Sequence, residues 1–120
     1  MDDRYLFRGK RADNGEWVQG SYQNYGNKVI IAACVIDFAT FGQCTGLKDK
    51  NSRLIFEGDL LQWLIDHDEY RLGFVIWEYG GWRVDMPAVA VAVPLTEILE
   101  DDIARISGNV HDNPNMWQRQ

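Results

Sequence analysis

Residues 54–93 read LIFEGDLLQWLIDHDEYRLGFVIWEYGGWRVDMPAVAVAV, and the period of this stretch decides the fold. Leu60 to Ile65, Arg71 to Glu78, Trp82 to Met86 and Val89 to Val93 are short runs rich in β-branched and aromatic residues. Gly58-Asp59, the acidic Asp66 to Glu69 and Gly80-Gly81 punctuate them. Runs this short, bounded by turn residues, predict successive antiparallel strands and not helices. Four strands at close spacing suggest a sheet that curls, and closing it would remove its exposed edges. The expected architecture over 54–120 is therefore a small SH3-like antiparallel barrel.

Upstream, Asp13-Asn14-Gly15 predicts a hairpin between Tyr5 to Arg8 and Trp17 to Tyr22, because Asn-Gly accepts the positive φ of tight turns. Lys28 to Ile36, with Val29, Ile30, Ile31, Val35 and Ile36, predicts one buried strand. The polar, turn-rich Gln43 to Arg53 reads as the join between two halves of a single domain: an N-terminal β region over 1–53 and the barrel over 54–120. Downstream, Thr96 is placed to cap a short helical turn over Glu97 to Asp101, and Ile103 to Val110 reads as a last strand. Asn113 and Pro114 suggest the start of a terminal helical turn, with the final residues frayed. The class is mainly β, α+β at most, with short helical turns near the C-terminus.

A chain of 120 residues can bury one core, and five residues each of Trp, Tyr and Phe help to fill it. No apolar run reaches the ~18 residues of a membrane helix, and Met1-Asp2-Asp3-Arg4 does not open a signal peptide, so a cytoplasmic protein is expected. Cys34 and Cys44 read as free thiols in a reducing compartment, Cys34 packing within its apolar run. The net charge of −6 argues against general attraction to a nucleic-acid backbone. Local basic groups do occur at Arg8, Lys10 and Arg11 and at Lys48, Lys50 and Arg53.

The parts of a catalyst are missing. His67 and His111 are the only histidines, no nucleophile elbow is present, and Phe7-Arg8-Gly9-Lys10 lacks the glycine spacing of a phosphate loop. Glu57 with Asp59 and Asp66 with Asp68 are carboxylate pairs at a spacing common on solvated strands. His67 flanked by Asp66, Asp68 and Glu69 matches no established metal spacing, and an acidic hairpin explains it more simply. No catalytic residue, metal or cofactor is assigned.

Four blocks in order are similar to the YopX family: Phe7-Arg8-Gly9-Lys10, Gln43 to Asn51, Phe56-Glu57-Gly58-Asp59 and Gly108 to Pro114. The second and third carry the resemblance, being long and unusual. Cys44 stands where similar proteins often have an aromatic residue, and Ser52 where they often have Gly. The resemblance implies a β-rich phage or prophage protein without an established activity, so it brings no catalytic residues.

Read physically, the blocks describe backbone turns: Gly46, Gly58, Gly108 and Pro114 set direction, and Asp49, Asn51 and Asp59 bond nearby backbone N–H groups. The functional alternative is a recognition loop of Lys48, Asp49, Lys50, Asn51, Glu57 and Asp59. A second candidate surface is aromatic, formed by Trp63, Trp77, Tyr79 and Trp82 in neighbouring strands, where packing competes with binding of peptides or unpaired bases. Three classes of function remain. The first is a non-enzymatic interaction protein that binds its own copies or another protein partner; then come a nucleic-acid-binding module and, last, a small metal-dependent enzyme. No membrane partner is expected.

Overall fold

In a computed structural model that describes residues 3–114, the chain is mainly β and divides into two compact units, Met1–Gly46 and Leu47–Gln120.

In the first unit β1 (Phe7–Arg11) and β2 (Trp17–Gly20) form the expected hairpin, pairing Lys10 with Trp17. Its loop spans four residues and not two, closed by the Arg11 N–H on the Glu16 carbonyl and by Gly15 at φ 76°. The run Lys28 to Ile36 is not one strand. It splits into β4 (Val29–Ile31), which follows β3 (Tyr22–Asn24), and the start of β5 (Cys34–Lys48). Ala32 and Ala33, at φ 51° and 64°, make the two-residue turn between Ile31 and Cys34. Positive φ at both central positions is the mirror-type turn whose twist matches a hairpin, but Ala-Ala carries no signal for it, so the apolar run hid the reversal. Strand order is β2-β1-β5-β4-β3, and one residue, Ser21, joins the two end strands, which requires the sheet to curl.

β5 also continues through Gln43 to Lys48, where a turn-rich segment was expected. The reversal is confined to residues 49–53, after which β6 (Leu54–Phe56) begins.

The second unit is built on β7 (Asp59–Asp66), β8 (Glu69–Glu78), β9 (Gly81–Met86), β10 (Val91–Pro94) and β11 (Arg105–Asn109). All pairs are antiparallel, in the order β10-β9-β8-β7-β11. This corrects the barrel: the strands were read well, but β10 and β11 are the ends of an open sheet. The β7–β9 meander uses two-residue turns, β10 pairs with β9 across a four-residue hairpin loop, and only β11 arrives by a helical connection to a strand it does not follow directly. Pro87–Val89 forms a 3₁₀ turn before β10, and α1 (Leu95–Leu99) precedes β11.

Period-two alternation sets the core. Leu61, Trp63, Val75, Val84 and Met86 share one face and pack with Ile55, Leu95 and Ala104. Leu95, Ile98 and Leu99 of α1 lie against that cluster. Pro94, at φ −58° and ψ 140°, stands at the cap position expected for Thr96, and no side chain caps the helix. Its fixed φ sets the chain direction two residues earlier than a threonine cap would. Any helical turn beyond Pro114, and the fraying of the last residues, lie outside the described residues.

Candidate functional site

The turn blocks converge on buried carboxylates. Asp49, only 5% exposed, sits at the reversal after β5. Its Oδ1 accepts the backbone N–H of Asn51 and of Arg53, each at 2.9 Å, and its Oδ2 accepts that of Ile106 at 2.8 Å. The adjacent Lys50 N–H bonds the Ala104 carbonyl at 2.9 Å. One side chain therefore closes a turn and fastens β11 to it. Charge-assisted bonds of this kind are about twice as strong as neutral ones.

The second block works in the same way. Asp59 is buried, and its Oδ2 accepts the Phe56 N–H at 2.7 Å across Glu57-Gly58. Gly58, at φ 90°, holds a conformation that strains other residues, while its N–H bonds the Val75 carbonyl and its carbonyl accepts the Val110 N–H. In the last block the Asn109 Oδ1 accepts the N–H groups of His111 and Asp112, and the Asn113 Oδ1 accepts the Asn109 N–H at 3.2 Å. Gly108 is required by close approach: a β-carbon there would lie 2.4 Å from the Asn113 Oδ1. Gly46, at φ 81°, lies within β5, close against the Arg4 side chain.

Of the proposed recognition loop, Lys48, Lys50, Asn51 and Glu57 are exposed, whereas Asp49 and Asp59 turn inward onto backbone amides. Ser52 has φ 64°, so a serine holds a left-handed position that glycine would take more easily.

The four aromatic residues do not form one surface. Trp63 is buried in the core. Trp77 and Trp82 pair across β8 and β9 on the core side of the sheet, their rings edge to face at 5.0 Å, with Trp82 packed against the core cluster. Trp82 is half-buried, Trp77 is 56% exposed and Tyr79 is 91% exposed. The turn is Tyr79-Gly80, one residue earlier than the glycine pair suggested, with Glu78 paired to Gly81. Tyr79 at φ 54° is an exposed aromatic in a left-handed position that glycine or asparagine would hold more easily, a strain of about 1–2 kcal/mol.

Two surfaces escaped the sequence reading. On the opposite face of the second sheet a groove of about 330 Å³ is lined by Leu60, Tyr70, Leu72, Phe74 and Val89. The signal was present in β8, where both alternating sets, Leu72, Phe74, Ile76 and Val75, Trp77, are apolar. In the first unit Phe7, Tyr22, Phe38 and Phe41 form a ring cluster with neighbouring centroids 4.6–5.8 Å apart, and Phe38 is 70% exposed. Arg8 and Lys10 lie over Trp17, at 4.7 and 5.5 Å from the ring centroid.

The acidic residues around His67 lie on the exposed β7–β8 turn, and the Asp66 carboxylate accepts the His67 N–H at 2.7 Å. Among the described residues no group of three or more His, Cys, Asp or Glu is placed to hold a metal ion. Cys34 and Cys44 form no disulfide; Cys44 is buried, but Cys34, the first residue of β5 beside the Ala32-Ala33 turn, is half-exposed instead of fully packed. No described helix is long and apolar enough to cross a membrane.

Against known families, residues 4–118 match the model described as YopX protein. No curated protein matches the chain. The match extends almost end to end and takes in the Asp49 reversal, the Gly58-Asp59 turn and the Asn109–Asn113 turn: the chain belongs to the YopX family.

Proposed function

We propose that this is a phage-type accessory protein, cytoplasmic and non-enzymatic, that works by binding protein and first of all by associating with its own copies. The observation that carries the reading is the β8–β9 hairpin, where Trp77 and Tyr79 hold large apolar surface in water and Tyr79 does so at a strained φ. Aromatic residues of this kind are the usual anchors of protein interfaces. The inward-facing Asp49 and Asp59 support the same reading, since these two buried carboxylates are engaged by backbone amides and not presented to a substrate. Gel filtration over a dilution series tests it: elution should move to smaller size on dilution, and a constant monomer position would overturn it.

A second reading rests on Arg8 and Lys10 over Trp17. Acidic and basic residues balance over residues 1–46, so the net −6 of the chain resides in residues 47–120. The first unit thus has a cationic, aromatic patch of the kind that stacks unpaired bases. Salt-sensitive binding to single-stranded DNA or RNA, lost in Arg8→Ala, would favour this reading; no binding at low salt would remove it.

A further inference from the structure

The exposed aromatic hairpin and the apolar groove of the second unit are complementary in chemistry and scale. The groove, about 330 Å³, lies at the small end of binding cavities, room for one or two aromatic side chains. Leu60, Leu72, Phe74 and Val89 make its lining mainly apolar, Glu69 and Arg71 add charge to it, and Tyr70 in the lining is 59% exposed. The hairpin offers Trp77 and Tyr79, the two most exposed aromatic residues of β8 and its turn apart from Tyr70.

The hairpin cannot fill the groove of its own chain. Leu60 pairs with Phe74 and Gln62 with Leu72 on one face of the sheet, whereas Val75 pairs with Val84 and Trp77 with Trp82 on the other. The β8–β9 pairing runs without interruption from Phe74 to Glu78, so the tip would have to pass through its own sheet to reach Leu72. A matching aromatic knob and apolar hole that cannot meet within one molecule can meet between two.

Resting on the self-association reading, we propose that the occupant of this groove is a second copy of the chain, which inserts its Trp77–Trp82 hairpin between Tyr70, Leu72, Phe74 and Val89. The contact joins two different surfaces, so each copy supplies one knob and one hole. Reciprocal insertion would close a dimer, and one-way insertion would build a ring or a chain of copies.

This asymmetry gives a test by complementation, using two full-length variants. Tyr79→Gly removes the knob, and glycine suits the positive φ there. Val89→Arg places a charge in the hole at a site already 41% exposed. With melting temperatures close to that of the unaltered chain, each variant alone should associate at least ten-fold more weakly by light scattering. An equimolar mixture should form a species of twice the monomer mass, since the intact groove of the Tyr79→Gly chain receives the intact hairpin of the Val89→Arg chain.

If the unaltered chain associates and either variant associates equally well, or if the mixture stays monomeric, the hairpin-in-groove contact is wrong while self-association stands. If the unaltered chain is a monomer throughout, both fall. Should Val89→Arg melt early, Tyr70→Glu at the exposed rim replaces it, with the same outcomes.

Discussion

Replacing Asp49 by alanine removes a carboxylate that accepts three backbone N–H groups, those of Asn51, Arg53 and Ile106. Hydrogen bonds to a charged group contribute about 1.5–3 kcal/mol each, but the three losses differ. Asn51 and Arg53 are exposed, so water can take over much of their bonding, whereas Ile106 is half-buried and its amide is left with less. The sum is about 3 kcal/mol, which for a chain of this size lowers the melting temperature by roughly 10–15 °C. Asp49→Asn should cost roughly half as much. Its single amide oxygen can keep the two turn bonds, while its NH₂ faces the Ile106 N–H, donor against donor. Thermal unfolding followed by circular dichroism, with denaturant melts to extract free energies, reads both variants. If Asp49→Ala unfolds within about 1 kcal/mol of the unaltered chain, Asp49 does not tie β11 to the turn, and the structural account of the second motif block is wrong.

Four further outcomes follow from single positions. Ser52→Gly should raise stability by about 0.5–1 kcal/mol in the same melts, because Ser52 occupies a left-handed conformation at φ 64°. Gly108→Ala should lower it by about 1–3 kcal/mol, since its β-carbon would displace the Asn113 side chain from the Asn109 N–H, and a neutral result would mean that turn adjusts freely. Under native conditions a thiol reagent should modify Cys34 rapidly and Cys44 only on unfolding, as mass spectrometry of labelled peptides can show. The Arg11 guanidinium, 2.7 Å from Asp13, holds that carboxyl below the usual aspartate range through a direct hydrogen bond. The small contribution of this exposed pair is present above the ordinary aspartate pKa and is lost as pH falls through the depressed value. Carboxyl NMR titration should therefore find Asp13 low and Arg11→Gln should return it to the ordinary range.

The sequence was most legible where local signals and tertiary need agree. The β7–β9 meander follows from its alternation and turns, and Asp49, Gly58 and Asp59 were marked as backbone devices by residue type alone. It was least legible where an element depends on partners distant in the chain. Ala32-Ala33 turns without any turn residue because Ile31 and Cys34 are held as a pair by the sheet. The unclosed sheet is a matter of which strand lies beside which, and period-two patterning is blind to that. At the candidate surface, alternation placed Trp77 and Trp82 together but could not reveal that Trp82 packs against the core while Trp77 stays exposed, nor that Trp63, on the same face, is buried in the core. The groove was missed because β8 was read for its aromatic residues and not for having two apolar faces.

Self-association is decided by static light scattering of the 120-residue chain over a hundred-fold range of concentration. The mass should rise from near the 13.8 kDa of one chain toward a multiple of it as concentration increases. A mass that remains at 13.8 kDa across the whole range would contradict it, leaving the exposed Trp77 and Tyr79 without the partner argued here.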